Sequence, residues 1–326
     1  MTAAMDSVVS KTTLALITAI SLAFICGLAY VQWRDDPCLT AGSFKQPPPL
    51  QLQPGPPFIV HYVLMHPSST QAPGNESALS FLDCMSMLSV VKNLKPDAIY
   101  LHTNVPEFWP FTPCEEFIKT WGNVKVINAP RKLTVNGSRI NFIEHEADII
   151  KLEALIEYGG LALDFDVYVI DGDRLRHLLL AYPCLGCHEN VPKVNAGFLA
   201  CQRGAEYPRM ILKEYGTNYR PDLWVYNSGI VPWKLLRKNP ELAHLVEGVC
   251  NAPEPNRKEE FVLQDGRHPW AEKVAHHSFL HDRNYTEQTV LTTSDSSMAR
   301  LLYWILYTVP EPRKKTGGHQ RDLLHQ

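Results

Sequence analysis

The chain has 326 residues, 45% hydrophobic and 20% charged, a balance that suits a folded body with a sizeable core and excludes disordered and collagen-like chains. Thirty-one basic against 34 acidic side chains leave a formal charge of −3, so no summed field draws the protein to DNA or RNA, and no nucleic-acid partner is expected. Eight cysteines are too few for a disulfide-dense miniprotein of this length, yet enough for two or three bridges in an oxidising compartment.

Between Thr12 and Trp33 no side chain is charged, and Leu14 to Val31 is apolar apart from Thr18 and Ser21. About 18–20 such residues at ~1.5 Å each cross a ~30 Å hydrocarbon layer, so residues 14–33 are expected to form a transmembrane signal-anchor behind a cytoplasmic tail, 1–13. A cleaved signal peptide with its apolar region at Leu14 to Ile25 is the alternative. Three glycosylation triplets follow, Asn75-Glu-Ser77, Asn136-Gly-Ser138 and Asn284-Tyr-Thr286, and they place the body in the secretory lumen. Seven cysteines lie on that side (Cys38, Cys84, Cys114, Cys184, Cys187, Cys201, Cys250), and their connectivity is open. Residues 34–57 hold seven prolines and read as an extended stem.

From Phe58 the chain alternates β-branched runs with helical patterns. Phe58 to Leu64 reads as a strand, Ser77 to Leu94 as a helix, Ala98 to Leu101 and Val124 to Ile127 as strands, and Glu144 to Tyr158 as a helix. This rhythm predicts an α/β fold, one domain over 58–309 with a mainly parallel sheet. Ser296 to Tyr307 is a helix too short to span a membrane and is expected to dock on the body, followed by a loose tail, 310–326.

The chemistry concentrates in the stretch from His145 to Ile170. The helix ends at Gly159-Gly160, where one glycine can cap it and the other admits a close backbone. Leu161-Ala-Leu163 then enters the sheet, and Asp164-Phe165-Asp166 follows at the strand's carboxyl end, the ligand edge of an open α/β sheet. On an extended chain the two carboxylates point one way and Phe165 the other, into the core. Paired like charges there are costly without a cation, and oxygen ligands suit a hard divalent ion. An N-cap or turn aspartate pair is the plainer reading of an isolated Asp-x-Asp.

The pattern Ala147-Asp148-x-x-Lys151, Leu155, Gly159-Gly160, Asp164-x-Asp166 resembles the sugar-binding region of glycosyltransferases with a DXD motif. That group includes initiating mannosyltransferases of the yeast type, lumenal α-glycosyltransferases and the large clostridial glucosylating toxins. The resemblance implies a GT-A-like (Rossmann-like) fold, a UDP- or GDP-sugar donor, a glycan or glycolipid acceptor, Mn²⁺ (or Mg²⁺) at the DXD and retention of anomeric configuration; with the apolar segment and the glycosylation triplets, a single-pass type II protein of the Golgi membrane is expected. The resemblance also implies that Asp164 touches donor ribose or sugar, that Asp166 ligates the metal, and that Asp148 and Lys151 hold the donor from one helical face. Lys151 stands where arginine is usual and Ala162 where the group has tyrosine. Those two changes carry the alternative function, a catalytically inactive relative that binds nucleotide sugar or glycan or scaffolds other enzymes. Trp224-Val-Tyr-Asn227-Ser228 resembles a later donor-binding element of the group, and Asn195-Ala-Gly197 a shorter one. His276 and His277 fall where such enzymes supply a last metal ligand, His277 being the candidate; a surface or capping histidine is the alternative.

Cys184-Leu-Gly-Cys187-His188 matches a haem-attachment pattern formally, but a disulfide role suits this context better. His145-Glu146 starts a zincin pattern that Ile149 breaks, and no Gly-x-Ser-x-Gly elbow, phosphate loop or dinucleotide glycine motif occurs.

Overall fold

The central strands are near-continuous apolar runs, so both faces of each are buried and each feeds two cores, one on either side of a central sheet. The computed structural model describes residues 57–67, 74, 78–118, 123–189, 192–250, 270–293 and 296–307, all in the unit Pro47–Gln326. The expected tail, anchor, nearly all of the stem, Cys38, the Asn75 triplet and residues 310–326 lie outside the described residues. Among the described residues no helix is long and apolar enough to cross a membrane.

The strands are β1 (Ile59–Leu64), β2 (Ala98–Thr103), β3 (Val124–Asn128), β4 (Thr134–Val135), β5 (Ser138–Arg139), β6 (Gly160–Leu163), β7 (Val167–Val169), β8 (Cys184–His188), β9 (Val194–Cys201), β10 (His244–Leu245) and β11 (Ala275–His277). Seven make the main sheet in the order β10-β8-β9-β6-β1-β2-β3. The pairs β1–β2, β2–β3, β1–β6 and β8–β10 are parallel, while β6–β9 and β8–β9 are antiparallel. The expected α/β fold with a mainly parallel sheet is therefore present. Apart from a single turn at Glu115–Ile118, the α-helices among the described residues are α1 (Phe81–Ser89, continued by a π turn at Val90–Leu94), α2 (Ile143–Tyr158), α3 (Gly172–Ala181), α4 (Glu206–Asn218), α5 (Val231–Lys238), α6 (Glu287–Thr292) and α7 (Ser297–Tyr307).

β6 shows how the two cores divide. Leu161 and Leu163 join a core with Val60, Tyr62, Leu101, Phe198 and α7's Leu301 and Leu302, whereas Ala162, between them, joins Ile149, Leu152 and Leu155 of α2 with Tyr207 and Ile211 of α4. α7 docks through Met298, Leu301, Leu302 and Ile305, as its length predicts.

Two local expectations are corrected. The first helix begins at Phe81 rather than Ser77, because Ser80 closes a capping box: its Oγ accepts from Asp83 N at 3.3 Å and its own N–H donates to Asp83 Oδ2 at 2.6 Å. The Asp164–Asp166 segment is a turn rather than extended chain, with Val167 N donating to Asp164 O at 3.2 Å. The chain turns there because β7 leaves the main sheet to pair antiparallel with β11. Phe165 still faces the core, stacked on Tyr62 with ring centroids 4.8 Å apart.

At the double glycine, Gly159 N–H caps α2 on Leu155 O at 2.9 Å, and Gly160, at φ +98°, lies so close to β1 that a Cβ there would sit 2.0 Å from Ile59 O. Three disulfides join Cys84 to Cys114, Cys184 to Cys201 and Cys187 to Cys250. Cys184 and Cys187 thus both serve as disulfide partners. Asn136 and Asn284 are exposed, Asn136 in the left-handed turn between β4 and β5.

Candidate functional site

The site is assembled where β6 ends. A side-chain oxygen from each of Asp164 and Asp166 and a ring nitrogen of His277 lie within 4.8 Å of one another. The two aspartates arrive on the turn, and His277 arrives by strand register: β11 pairs with β7 so that His277 faces Val167, the residue after Asp166. Ser278 locks that register, its N–H donating to Asp166 O at 2.9 Å and its Oγ at 3.2 Å.

His277 is buried and held on three sides. Its Nε2 donates to Asp166 Oδ2 at 3.0 Å, its ring stacks on Phe279 with centroids 3.8 Å apart, and its Nδ1 lies 3.7 Å from the sulfur of Cys250. Burial lowers the proton affinity of its ring, but the Asp166 carboxylate outweighs that and raises it. His276, the alternate position along the strand, turns to Lys273, its Nδ1 3.4 Å from Nζ. His281, which the sequence analysis did not single out, brings Nε2 within 3.3 Å of Asp166 Oδ2 while its side chain stays 74% exposed.

Asp148 and Lys151 share one face of α2 and turn it towards the same site. Lys151 Nζ donates to Asp164 Oδ1 at 2.5 Å, to Asp148 Oδ1 at 3.2 Å and to Ala196 O at 3.3 Å. Burial pulls the lysine down, but the two carboxylates override it and keep the ammonium charged. Burial likewise pushes Asp148 up, Lys151 offsetting only part of it. At Asp164 the charge of Lys151 and the nearby histidines win against burial and hold the carboxyl below its ordinary range. The cavity beside this triad is lined by Asp148, Lys151, Asn195, Tyr215 and Ser228, closed by apolar residues of α4 and β9.

Asn227 is buried, and its amide closes on the backbone of Arg220: Oδ1 accepts from Arg220 N at 2.9 Å and Nδ2 donates to Arg220 O at 2.8 Å. Asn195 donates through Nδ2 to Glu189 at 3.0 Å and accepts from Gly197 N at 2.7 Å. Gly197 is the least obvious member of the site. A Cβ there would stand 2.7 Å from Asp164 Oδ2, 2.8 Å from Asn195 Oδ1 and 2.9 Å from His277 Cε1, so only glycine lets these three side chains converge.

The donor set fits a divalent cation. Two carboxylates and an imidazole suit Mn²⁺, and the buried Asp166 Oδ1 has no hydrogen-bond partner among the described residues, which is costly unless a cation takes it up. Charge of one sign gathered at a strand's carboxyl end, beside a lysine and a partly polar cavity, can hold an anionic ligand through a metal and a hydroxylated one through Asp148, Lys151 and Ser228.

No family model matches the chain. It is 28% identical over 195 residues to Glucan organizing enzyme 1 of Cryptococcus neoformans, a match that covers 56% of this chain. The chain spans about half the length of that curated relative, 50%. Solved structures similar to it include the glycosyltransferase GlyE of Streptococcus pneumoniae (TM-score 0.41, 12% identity, covering 78% of this chain and 66% of that one). Another is the mannosyltransferase PcManGT of Pyrobaculum calidifontis, in complex with GDP-Man and Mn²⁺ (TM-score 0.41, 13% identity, covering 91% and 88%).

Proposed function

We propose that this protein is a metal-dependent glycosyltransferase of GT-A type, moving a sugar from a UDP- or GDP-sugar donor to a hydroxyl of a glycan or glycolipid with retention of configuration. The observation that carries the reading is the convergence of Asp164, Asp166 and His277, together with a buried Asp166 Oδ1 that has no hydrogen-bond partner among the described residues. The relative's name, an enzyme that organises glucan, supports a carbohydrate substrate.

In this reading Asp166 and His277 hold Mn²⁺ or Mg²⁺, and Asp164 faces the donor ribose or sugar. A divalent ion bound there would neutralise charge on the departing nucleoside diphosphate. Lys151 keeps Asp164 ionised and oriented, and with Asp148 it presents a charged donor and an acceptor to sugar hydroxyls. Ser228 adds a hydroxyl from the facing side of the cavity. The proposal also places the body in the Golgi lumen, tethered by residues 14–33. The three disulfides and the exposed Asn136 and Asn284 support an oxidising, glycosylating compartment.

The test is nucleotide release from a panel of UDP- and GDP-sugars by the full chain, with and without Mn²⁺, beside Asp166→Asn. Metal-dependent release that falls at least about a hundredfold in the variant is expected, the loss of several kcal/mol of charge stabilisation. Equal release by variant and wild type would remove Asp166 from the chemistry. No release from any donor, by folded protein supplied with oligosaccharide acceptors, would favour the non-catalytic alternative.

A further inference from the structure

The segment between α4 and the π turn at Tyr226–Ile230 presents Asp222, Leu223 and Trp224 to solvent in succession, Leu223 and Trp224 each 50% exposed. Single exposed apolar side chains are common, but this pair stands on a loop that is pinned rather than free. Asn227 grips both polar backbone atoms of Arg220, Leu223 N–H donates to Arg220 O at 3.3 Å, and Tyr226 N–H donates to Leu223 O at 3.3 Å. From α2, His145 Nε2 donates to the Trp224 carbonyl at 2.7 Å, and Asn141, just before that helix, donates through Nδ2 to Asp222 Oδ1 at 3.2 Å. Phe142 braces the indole, their centroids 5.1 Å apart and planes at 78°. The backbone that carries the indole is therefore held in place and Phe142 braces the ring on one side, while the residue stays half exposed.

Its position gives that exposure a use. His145 lies one helical turn before Asp148 on α2, and Ser228, four residues after Trp224, lines the same cavity as Asp148 and Lys151. The N-terminus of α2 and the carboxyl end of β6 share the ligand edge of the sheet. A fixed indole beside a leucine, with a carboxylate and an amide at its border, matches a ligand with an apolar face and a hydroxylated rim. A patch two side chains wide and bordered by Arg220 and Asp222 is far smaller than the ~1,000 Å² of a stable protein interface.

We propose that Trp224 is a preformed stacking platform for a pyranose ring of the acceptor glycan, with Leu223 extending its apolar face and Asp222 and Asn141 meeting the ring hydroxyls. Rigidity fixed by Asn227 and His145 reduces the ordering cost of binding. Calling the sugar an acceptor rests on the transferase reading, but the binding of a sugar there does not.

The experiment probes immobilised oligosaccharides with the full chain in detergent, comparing wild type, Trp224→Ala, Trp224→Phe and Tyr303→Ala. Tyr303 is a matched control, an aromatic 51% exposed on α7. Wild type is expected to retain a subset of glycans, Trp224→Ala to lose about tenfold or more in affinity for them, Trp224→Phe to stay within about threefold, and Tyr303→Ala to match wild type. The alanine variant keeps the backbone groups that pin the loop, and an unchanged melting temperature excludes misfolding. A wild type that retains no glycan, or a Trp224→Ala that binds as wild type does, overturns the platform. Weakened binding of UDP or GDP with Mn²⁺, matching the glycan loss, would assign the indole to the donor base and also overturn it. The transferase reading is judged separately by nucleotide release in Asp166→Asn, so either can fail while the other stands.

Discussion

At the scale of single residues, the site depends as much on an absent side chain as on the charged ones. Gly197 is ringed by Asp164, Asn195 and His277 at distances a Cβ cannot share. All three neighbours meet it through the ends of side chains, so Gly197→Ala is accommodated by moving them rather than the backbone. The fold should survive with a loss of about 1–3 kcal/mol, whereas Mn²⁺ affinity should fall at least about tenfold because the ligands no longer converge. Titration of Mn²⁺ by electron paramagnetic resonance alongside a thermal melt separates these effects. An affinity equal to wild type would show that the three side chains converge without the glycine. Asp164, Asp166, Asp148 and Lys151 are legible in the sequence because short spacings on one helix and one strand end bring them together. The steric role of Gly197 and the approach of His281 are not, since they depend on residues distant in the chain, Asp164 and His277 for the one and Asp166 for the other.

At the scale of elements, β1, β2, β3 and β6 are legible because each is a short run rich in β-branched or apolar residues, whereas β4 and β5, two residues each, leave no such pattern. The β7–β11 ribbon is not legible either, because its two strands of three residues are joined only by register across more than a hundred residues. That register, rather than the alternation of an extended chain, turns Asp166 towards His277. The placement of α2 shows a second non-local device. Arg131, just after β3, donates through Nε to both oxygens of Glu146 at 3.0 and 2.9 Å, and through Nη1 to the His66 carbonyl beyond β1 at 2.8 Å. Glu146 is 1% exposed and lies in the first turn of the helix that carries Asp148 and Lys151. Removing the guanidinium would strand that carboxylate, so Arg131→Ala should cost about 3 kcal/mol, and Arg131→Ala with Glu146→Gln should recover part of it. Denaturant midpoints of Arg131→Ala, Glu146→Gln and the double variant decide the point. Additive losses would mean that the pair is not coupled.

At the scale of the whole molecule, the parallel half of the main sheet carries a device that makes stability depend on pH. His61 on β1 and His102 on β2 lie side by side, Nδ1 to Nε2 at 3.0 Å, and His61 Nε2 donates to the Gly159 carbonyl at 2.9 Å. Burial is the main cause that pulls His61 down from 6.5 to about 3 and His102 from 6.5 to about 4, so both rings stay neutral in the fold. In the unfolded chain both take up protons below about pH 6.5. The stability they permit is therefore complete above pH 6.5 and is lost as pH falls towards 4 and then 3, by about 1.4 kcal/mol per pH unit for each ring. His277 works in the opposite sense in the metal-free protein, because its raised proton affinity favours the fold at lower pH. Carboxylates of ordinary affinity add little between pH 6.5 and 5, and Asp148 and Asp83, raised by burial, are common to wild type and variant. Denaturation midpoints at pH 7.5, 6.5, 5.8 and 5.0 should fall with acid in wild type, and His102→Phe should lose about 1.4 kcal/mol per unit of that slope below pH 6.5. The comparison tests slopes rather than absolute stabilities, so any packing cost of the larger ring drops out. An unaltered slope in His102→Phe would mean that the buried pair is not the source of the acid sensitivity, and that a charged histidine is tolerated between β1 and β2.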